Sequence, residues 1–336
     1  MFVFGALVFY ALPFLLLIEI LRSIYLEYRA DRVPILLYHR VISRKSIAAG
    51  ETPDREPIYA VYDDMFEAQM RWLRENDYTA LSLDEFVEIR RGRRPLPARS
   101  LVITFDDGYE SNYTMAWPAL RRYDLSATIF VAPEPDDYSR RLVAGFDGFL
   151  NPDQMRELDA GGVAIESHTL THCVLSELDD ATARRELEEC GRVLGEILGR
   201  PLRHLAIPRS GYSRRIKRLV GTMAFDSVCC NNKGSSNGLS DLQALPRIVI
   251  ERDMTVEDFS QALRPRRAVV LRLLGNLKRI PERLFGSSGS QRIRSVLYSG
   301  PLAGLFVTRR LKRVVGCGAL IYLLGVVTFT WLIVFR

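Results

Sequence analysis

Short apolar, β-rich runs alternate with helical patterns along the middle of this chain, and that alternation limits the fold more than any other feature. Residues 33–38 and 101–105 are short, largely apolar runs of the kind found in strands buried on both faces. The alternation predicts a parallel barrel or a doubly wound sheet, with function in loops after the strands. The predicted strands are 33–38, 101–105, 127–132, 163–167, 204–207, 227–230 and 248–250.

Local signals predict the elements between these strands. The apolar spacing in residues 64–75 predicts a helix, and Ser82 with Glu85 matches a capping box at the start of another. Pro118 lies near the middle of a further helical stretch, which predicts a kink or a late helix start. Residues 133–150 are expected to form a long irregular connection beside a site.

Both ends of the 336-residue chain carry apolar runs without charge. Residues 2–18 and 314–335 are 17 and 22 residues long, and about 20 residues cross a bilayer core. The first run is not typical of a cleaved signal peptide, because no Lys or Arg precedes it and no small-x-small site follows it. We therefore expect transmembrane helices at 1–22 and 314–335.

The charge is as uneven as the hydrophobicity. The net charge is +6, but residues 264–313 hold thirteen Lys or Arg against one acid, whereas residues 1–263 are net negative. A basic segment beside a membrane span favours binding to membrane lipids with anionic headgroups. No nucleic-acid-binding motif is present, so we expect no nucleic-acid partner.

Adjacent carboxylates follow the second predicted strand. Asp106 and Asp107 lie in the sequence TFDDG. Two carboxylates repel each other, so a site that holds both at one strand end needs a cation or a shared proton. An ordinary acidic turn is the alternative, since Asp-Gly is a common turn pair.

Two of the four histidines follow the fourth predicted strand. His168 and His172 lie in the sequence HTLTH, and at this spacing on a helix both would share one face and could bind one metal ion. Ordinary surface histidines are the alternative. Two imidazoles and one carboxylate leave coordination positions open for water and substrate, as metal-assisted hydrolysis requires.

The TFDDG and HTLTH sequences resemble the first two motifs of the polysaccharide deacetylase family, also called the NodB homology or carbohydrate esterase family 4. The resemblance covers residues 33–263, and the LLYHRV sequence near the start also resembles members that remodel surface polysaccharides. It implies a distorted (β/α)7 barrel that binds a divalent metal, usually Zn²⁺. The expected chain is this barrel flanked by two transmembrane helices, with a basic membrane-proximal segment at 264–313.

The resemblance also implies roles for the residues of both motifs. Asp107, His168 and His172 would be the metal ligands, and Asp106 the base that takes a proton from water on the metal. That water would attack the carbonyl of an N-acyl group on an amino sugar. The metal and a backbone N–H would then stabilise the oxyanion.

The later motifs depart from the family pattern. Arg209 takes the place of an aromatic residue in the third motif, with its amide as candidate oxyanion donor and Tyr212 as a candidate substrate residue. Arg247 is expected to orient Asp106, with an ordinary surface arginine as the alternative. The fourth motif's tryptophan has no clear match.

The histidine of the family's fifth motif is missing, because no histidine follows His204. His204 precedes its strand and should be structural at the opposite end of the barrel. His39 follows the first strand and is expected in the pocket, as an acid or a substrate contact, with a structural histidine as the alternative.

Three functions remain open on the sequence. Two are removal of acyl groups from an amino-sugar polymer or from a lipid-linked saccharide, and the third is a catalytically silent, membrane-anchored carbohydrate-binding scaffold. Positive residues flank both predicted spans on the side of the domain, which predicts a cytoplasmic domain. That location favours the lipid-linked substrate, although many relatives act on exported polymers.

Overall fold

The computed structural model describes residues 12–50, 59–143 and 147–278. The chain divides into two compact units, of which the larger is Leu26–Arg272. No helix within the described ranges is both long and apolar enough to cross a membrane. The predicted C-terminal span and residues 1–11 of the predicted N-terminal span lie outside those ranges.

Seven parallel strands form a closed barrel in the larger unit. The strands of the chain are β1 Ile35–Tyr38, β2 Arg40–Ile42, β3 Ala60–Tyr62, β4 Thr79–Ala80, β5 Ser100–Phe105, β6 Ala127–Val131, β7 Val163–Ser167, β8 His204–Ala206, β9 Ser227–Lys233 and β10 Leu245–Val249. Strands β5 to β10 follow one another in order, and β1 pairs with both β5 and β10 to close the ring. The seven-stranded barrel that the resemblance implied is therefore confirmed. β4 adds to β5, and β2 pairs with β3 in a separate ribbon.

The described ranges also contain α-helices, most of which connect successive strands. They are α1 Leu12–Glu27, α2 Arg44–Ala48, α3 Asp63–Glu75, α4 Leu83–Arg90, α5 Trp117–Arg122, α6 Asp137–Val143, α7 Pro152–Ala160, α8 Asp180–Leu198, α9 Arg214–Val220, α10 Val256–Ala262 and α11 Pro265–Lys278. The helix predicted at 64–75 is α3, and the predicted capping box of Ser82 and Glu85 is present at α4.

Burial in the core explains why β1 is apolar throughout and why β5 is apolar except at Ser100 and Thr104. Every residue of both strands is buried. Tyr38 packs with its ring centroid 5.2 Å from that of Phe66 on α3 and 5.4 Å from that of Phe105. Burial of one such side chain contributes about 1.5–3 kcal/mol. The hydroxyl of Tyr38 donates to Gln69 Oε1 at 2.8 Å, so its polar atom is also satisfied.

Two predictions between the strands have different outcomes. A π-helical turn at Asn112–Ala116 precedes α5, and Pro118 lies in the first turn of α5, so the late helix start is confirmed. The connection at 133–150 was predicted to be irregular, which is wrong in part because it contains α6. This short helix has no apolar periodicity to reveal it, and it is stabilised by Asp136, whose Oδ1 accepts from the N–H of Ser139 at 2.8 Å.

His204 lies at the amino end of the barrel strands, as expected for a structural residue. Its ring nitrogens contact Ser227 Oγ at 2.9 Å and Asp84 Oδ1 at 3.1 Å. Its backbone N–H donates to the buried carboxylate of Glu166 at 2.8 Å. These contacts occupy both ring nitrogens of His204 and its backbone N–H, as a structural role requires.

Candidate active site

Asp106 directly follows β5 and is held by Arg247 of β10. The guanidinium donates from Nη1 to Oδ1 and from Nη2 to Oδ2, each at 2.7 Å, in a bidentate pair. The side chains are 4% and 0% exposed, so the alternative of a surface arginine at 247 is wrong. Burial by itself would raise the pKa of Asp106, but the positive charges of Arg247 and His168 outweigh it and hold the pKa below its usual value.

Asp107 faces two imidazoles instead of a guanidinium. Its Oδ1 lies 3.0 Å from His172 Nε2 and 3.4 Å from His168 Nε2. One candidate ligand atom from each of these three residues lies within 4.8 Å of the others. Burial opposes ionisation of Asp107, but the neighbouring imidazoles overcome it and lower its pKa well below the usual value.

A loop, not a helix, brings the two histidines together. β7 ends at Ser167, and the backbone at Thr169 and His172 is left-handed, with φ of 65° and 64°. The N–H of His172 donates to Thr169 Oγ1 at 3.1 Å, which fixes the turn between the rings. The predicted helical face is therefore wrong, although the ring centroids of His168 and His172 lie only 5.0 Å apart.

The tautomer of His168 fits a metal ligand. Its Nδ1 lies 2.8 Å from the carbonyl oxygen of Ala206, and a carbonyl only accepts, so Nδ1 carries the hydrogen and Nε2 is left to face the carboxylates. Burial lowers the pKa of His168, but Asp106 and Asp107 reverse this and raise it. Two imidazoles and a carboxylate that together attract positive charge are a donor set that suits a divalent cation such as Zn²⁺.

His39 lies after β1 at the same end of the barrel. Its Nδ1 is buried and has no hydrogen-bond partner among the described residues. Its ring centroid lies 4.8 Å from that of Tyr59. Burial lowers the pKa of His39 despite the opposite effect of Asp107 and Asp106, which disfavours the protonated imidazolium form.

The two candidate residues of the third motif, Arg209 and Tyr212, contact different parts of the structure. Nη2 of Arg209 donates to Asp136 Oδ2 at 3.0 Å and lies 3.2 Å from His172 Nδ1. Tyr212 donates through its hydroxyl to the carbonyl of Gln243 at 2.7 Å and packs against the core. The contacts that the structure shows for Tyr212 do not include the carboxylates or histidines of the site.

Sequence reasoning missed three polar residues that complete the site. Thr104 and Asn231 contact the guanidinium of Arg247 at 3.3 and 3.1 Å, and Ser139 Oγ lies 3.1 Å from His172 Nδ1. Asp136 followed by Ser139 is a helix-capping pattern that could have revealed the start of α6. No local pattern could have revealed which ring that helix contacts.

Part of this chain matches the polysaccharide deacetylase family. The family model described as polysaccharide deacetylase matches residues 93–228, which include Asp106, Asp107 and both site histidines. The observed parallel barrel fits the NodB, or carbohydrate esterase family 4, fold.

Named relatives agree with this assignment. The Bacillus subtilis (strain 168) protein YxkH, whose name places it with the polysaccharide deacetylases, is 26% identical over 229 residues, which are 68% of this chain and 75% of YxkH. A Staphylococcus epidermidis poly-β-1,6-N-acetyl-D-glucosamine N-deacetylase is 32% identical over 112 residues, which are 32% of this chain but only 38% of that relative.

Solved structures share the fold. The Streptococcus pyogenes deacetylase PplD superposes with a TM-score of 0.60 at 24% identity, over 70% of this chain and 100% of that one. IcaB from Ammonifex degensii superposes with a TM-score of 0.57 at 21% identity, over 70% of this chain and 98% of that one.

Replacement of Arg247 by Met should destabilise the fold in a pH-dependent way. Wild-type Asp106 has a depressed folded pKa, so it contributes stability above its unfolded pKa and loses it as pH falls through the folded value. In the variant the buried carboxylate has no guanidinium partner and its folded pKa rises. The substitution therefore lowers the free energy of unfolding most at neutral pH, where removing one partner of a buried pair costs about 3–5 kcal/mol.

Urea unfolding at about pH 7 and about pH 4.5 measures this difference. Arg122→Met, which removes an exposed contact with Glu67, is the control and should change the free energy of unfolding far less. An equal loss at both pH values for Arg247→Met would contradict the assignment.

Proposed function

We propose that this protein is a metal-dependent hydrolase that removes N-acyl groups, chiefly N-acetyl, from amino sugars of a polysaccharide or a lipid-linked saccharide at a membrane. The observation that carries the proposal is that the two adjacent carboxylates have different contact partners. Asp106 is bound by Arg247, whereas Asp107 faces His168 and His172. One carboxylate is thus a proton acceptor and the other belongs to a ligand set.

Asp107, His168 and His172 would hold the metal, which we propose to be Zn²⁺. When bound, such an ion acts as a Lewis acid that polarises a carbonyl and makes water more acidic. Asp106 stays ionised because Arg247 lowers its pKa. Each of its oxygens accepts one bond from Arg247 and keeps a further lone pair, so it can accept the proton of the attacking water.

The products are a carboxylic acid and a free amine. Cleavage of the C–N bond requires a proton on the leaving nitrogen, and the proton taken up by Asp106 is available for it. His39 is the remaining histidine at this end of the barrel. Because burial lowers its pKa and so disfavours the imidazolium, we propose that His39 contacts the substrate and is not the acid.

The names of the relatives guide the choice of substrate. Several of them are named as poly-β-1,6-N-acetyl-D-glucosamine N-deacetylases. We therefore propose N-acetylglucosamine in β-1,6 linkage as the first substrate to test, with Arg209 and Tyr212 as candidate substrate contacts and the Arg209 amide as oxyanion donor. Loss of one such donor costs about 10²- to 10³-fold in rate.

Asp106→Asn should abolish most of the hydrolysis. The amide has the same shape but cannot accept the proton, so the rate of acetate release from β-1,6-linked N-acetylglucosamine oligomers should fall about 10²- to 10⁴-fold. Asp137→Asn, an exposed carboxylate on α6, is the matched control and should leave the rate unchanged. Wild-type turnover in Asp106→Asn would contradict the proposed base.

In the same assay, His39→Ala should raise the KM for the oligomers more than it lowers kcat.

A catalytically silent scaffold is the second candidate function. It is favoured by the missing fifth-motif histidine and by Arg209 in the aromatic place of the third motif. The same assay separates the two functions. Metal-loaded wild-type protein that binds the oligomers and releases no acetate would favour the scaffold.

We further propose that residues 1–22 and 314–335 anchor the chain in a membrane with the barrel on the cytoplasmic side. Arg22 is the last residue of the first predicted span, Arg29 and Arg32 follow it, and four basic residues from 309 to 313 precede the second. A cytoplasmic barrel would act on a lipid-linked precursor, and the basic segment would bind anionic lipids at about 1 kcal/mol per residue near the surface.

Reporter fusions after Leu263 test the membrane side. A cytoplasmic domain predicts a fluorescent green-fluorescent-protein fusion and an inactive alkaline phosphatase fusion. Strong phosphatase activity would contradict the cytoplasmic assignment and favour a polymer outside the membrane as the substrate.

A further inference from the structure

The two nitrogens of His172 have different surroundings. Nε2 lies 3.0 Å from Asp107 Oδ1 and faces the proposed metal. Nδ1 lies 3.1 Å from Ser139 Oγ and 3.2 Å from Arg209 Nη2. His168 differs, because its Nδ1 contacts the carbonyl of Ala206, which can only accept a hydrogen bond.

The two neighbours of Nδ1 have opposite consequences for the tautomer of His172. A guanidinium has donors only, so a hydrogen bond from Arg209 would require a bare Nδ1 and would leave the hydrogen on Nε2. That tautomer cannot bind a metal through Nε2. A hydroxyl can accept, so Ser139 is the neighbour that lets Nδ1 carry the hydrogen and leaves Nε2 free to bind.

Contacts on α6 hold Ser139 in place and keep Arg209 occupied. Asp136 accepts from the N–H of Ser139 at 2.8 Å and from Arg209 at 3.0 Å. The N–H of Asp136 donates to the carbonyl of Thr171, next to His172, at 3.0 Å. Ser139 is 5% exposed. The carboxylate of Asp136 therefore draws the guanidinium charge toward itself and fixes the helix beside the loop of the histidines.

We propose that Ser139 is a positioning residue that accepts the Nδ1 hydrogen of His172 and thereby fixes its Nε2 as a metal ligand. The Asp136–Arg209 ion pair supports this contact. The inference rests on the metal dependence of the proposed function. It gives α6 a part in the metal site and gives Arg209, in the place of the family's aromatic residue, a role beside His172.

Metal affinity tests the proposal without any substrate. In the full chain, Ser139→Ala should weaken the binding of Zn²⁺ and Co²⁺ about 10- to 100-fold, because outer partners of ligating histidines typically have effects of that size. Ser139→Thr keeps the hydroxyl and should restore most of the affinity. Competition with a chromogenic chelator gives the dissociation constants, and the visible absorption of bound Co²⁺ reports the ligand geometry.

Asn substitutions at Asp136 and Asp137 provide a matched test and control, and this comparison does not require Ser139→Ala to fold well. Asp136→Asn weakens the hold on Arg209 and should lower the metal affinity, whereas Asp137→Asn, whose side chain is exposed on the same helix, should not. Circular dichroism and the unfolding midpoint without metal should match the wild type for every variant compared.

The outcomes separate this inference from the proposed function. Unchanged metal affinity in both Ser139→Ala and Asp136→Asn would overturn the role of Ser139, and a wild-type chain that binds no metal would overturn both proposals. If Ser139→Ala loses metal affinity but the metal-loaded wild-type protein releases no acetate, the positioning role is supported and the deacetylase function is contradicted.

Discussion

The buried pair of Asp106 and Arg247 is the interaction on which the rest of the site depends. Two adjacent carboxylates at one strand end repel each other, and the bidentate guanidinium of Arg247 reduces this repulsion by neutralising the charge of Asp106. Arg247 can do so only because β1 pairs with both β5 and β10 and closes the barrel. Asp107 is then left to face the two imidazoles, so that one acidic pair supplies two different chemical groups.

Much of the fold could be predicted from the sequence because its determinants are local. An apolar run such as β1 and a capping box such as that of Ser82 and Glu85 act over a few residues. The motifs also predicted which side chains approach one another, although the reason given for His168 and His172 was wrong. Their spacing suggested one helical face, whereas left-handed backbone at Thr169 and His172 brings the rings together.

What the sequence could not predict depends on contacts between distant segments. Arg247 lies 141 positions from Asp106, and a surface arginine was an equal alternative until the barrel placed both. Ser139 lies 33 positions from His172, on a helix too short and too polar to show periodicity. No local sequence pattern predicts which acceptor a histidine nitrogen will contact. The motifs of a site can therefore be found in the sequence, whereas the contacts that support them cannot.

The central claim is that the two adjacent carboxylates have separate roles, with Asp106 paired to Arg247 and Asp107 available to a metal. Titration calorimetry of Zn²⁺ into Asp106→Asn and Asp107→Asn tests it directly. We predict that Asp106→Asn still binds one equivalent, whereas Asp107→Asn loses the site. Equal loss of Zn²⁺ binding in both variants, or retention of the site in Asp107→Asn, would contradict the account.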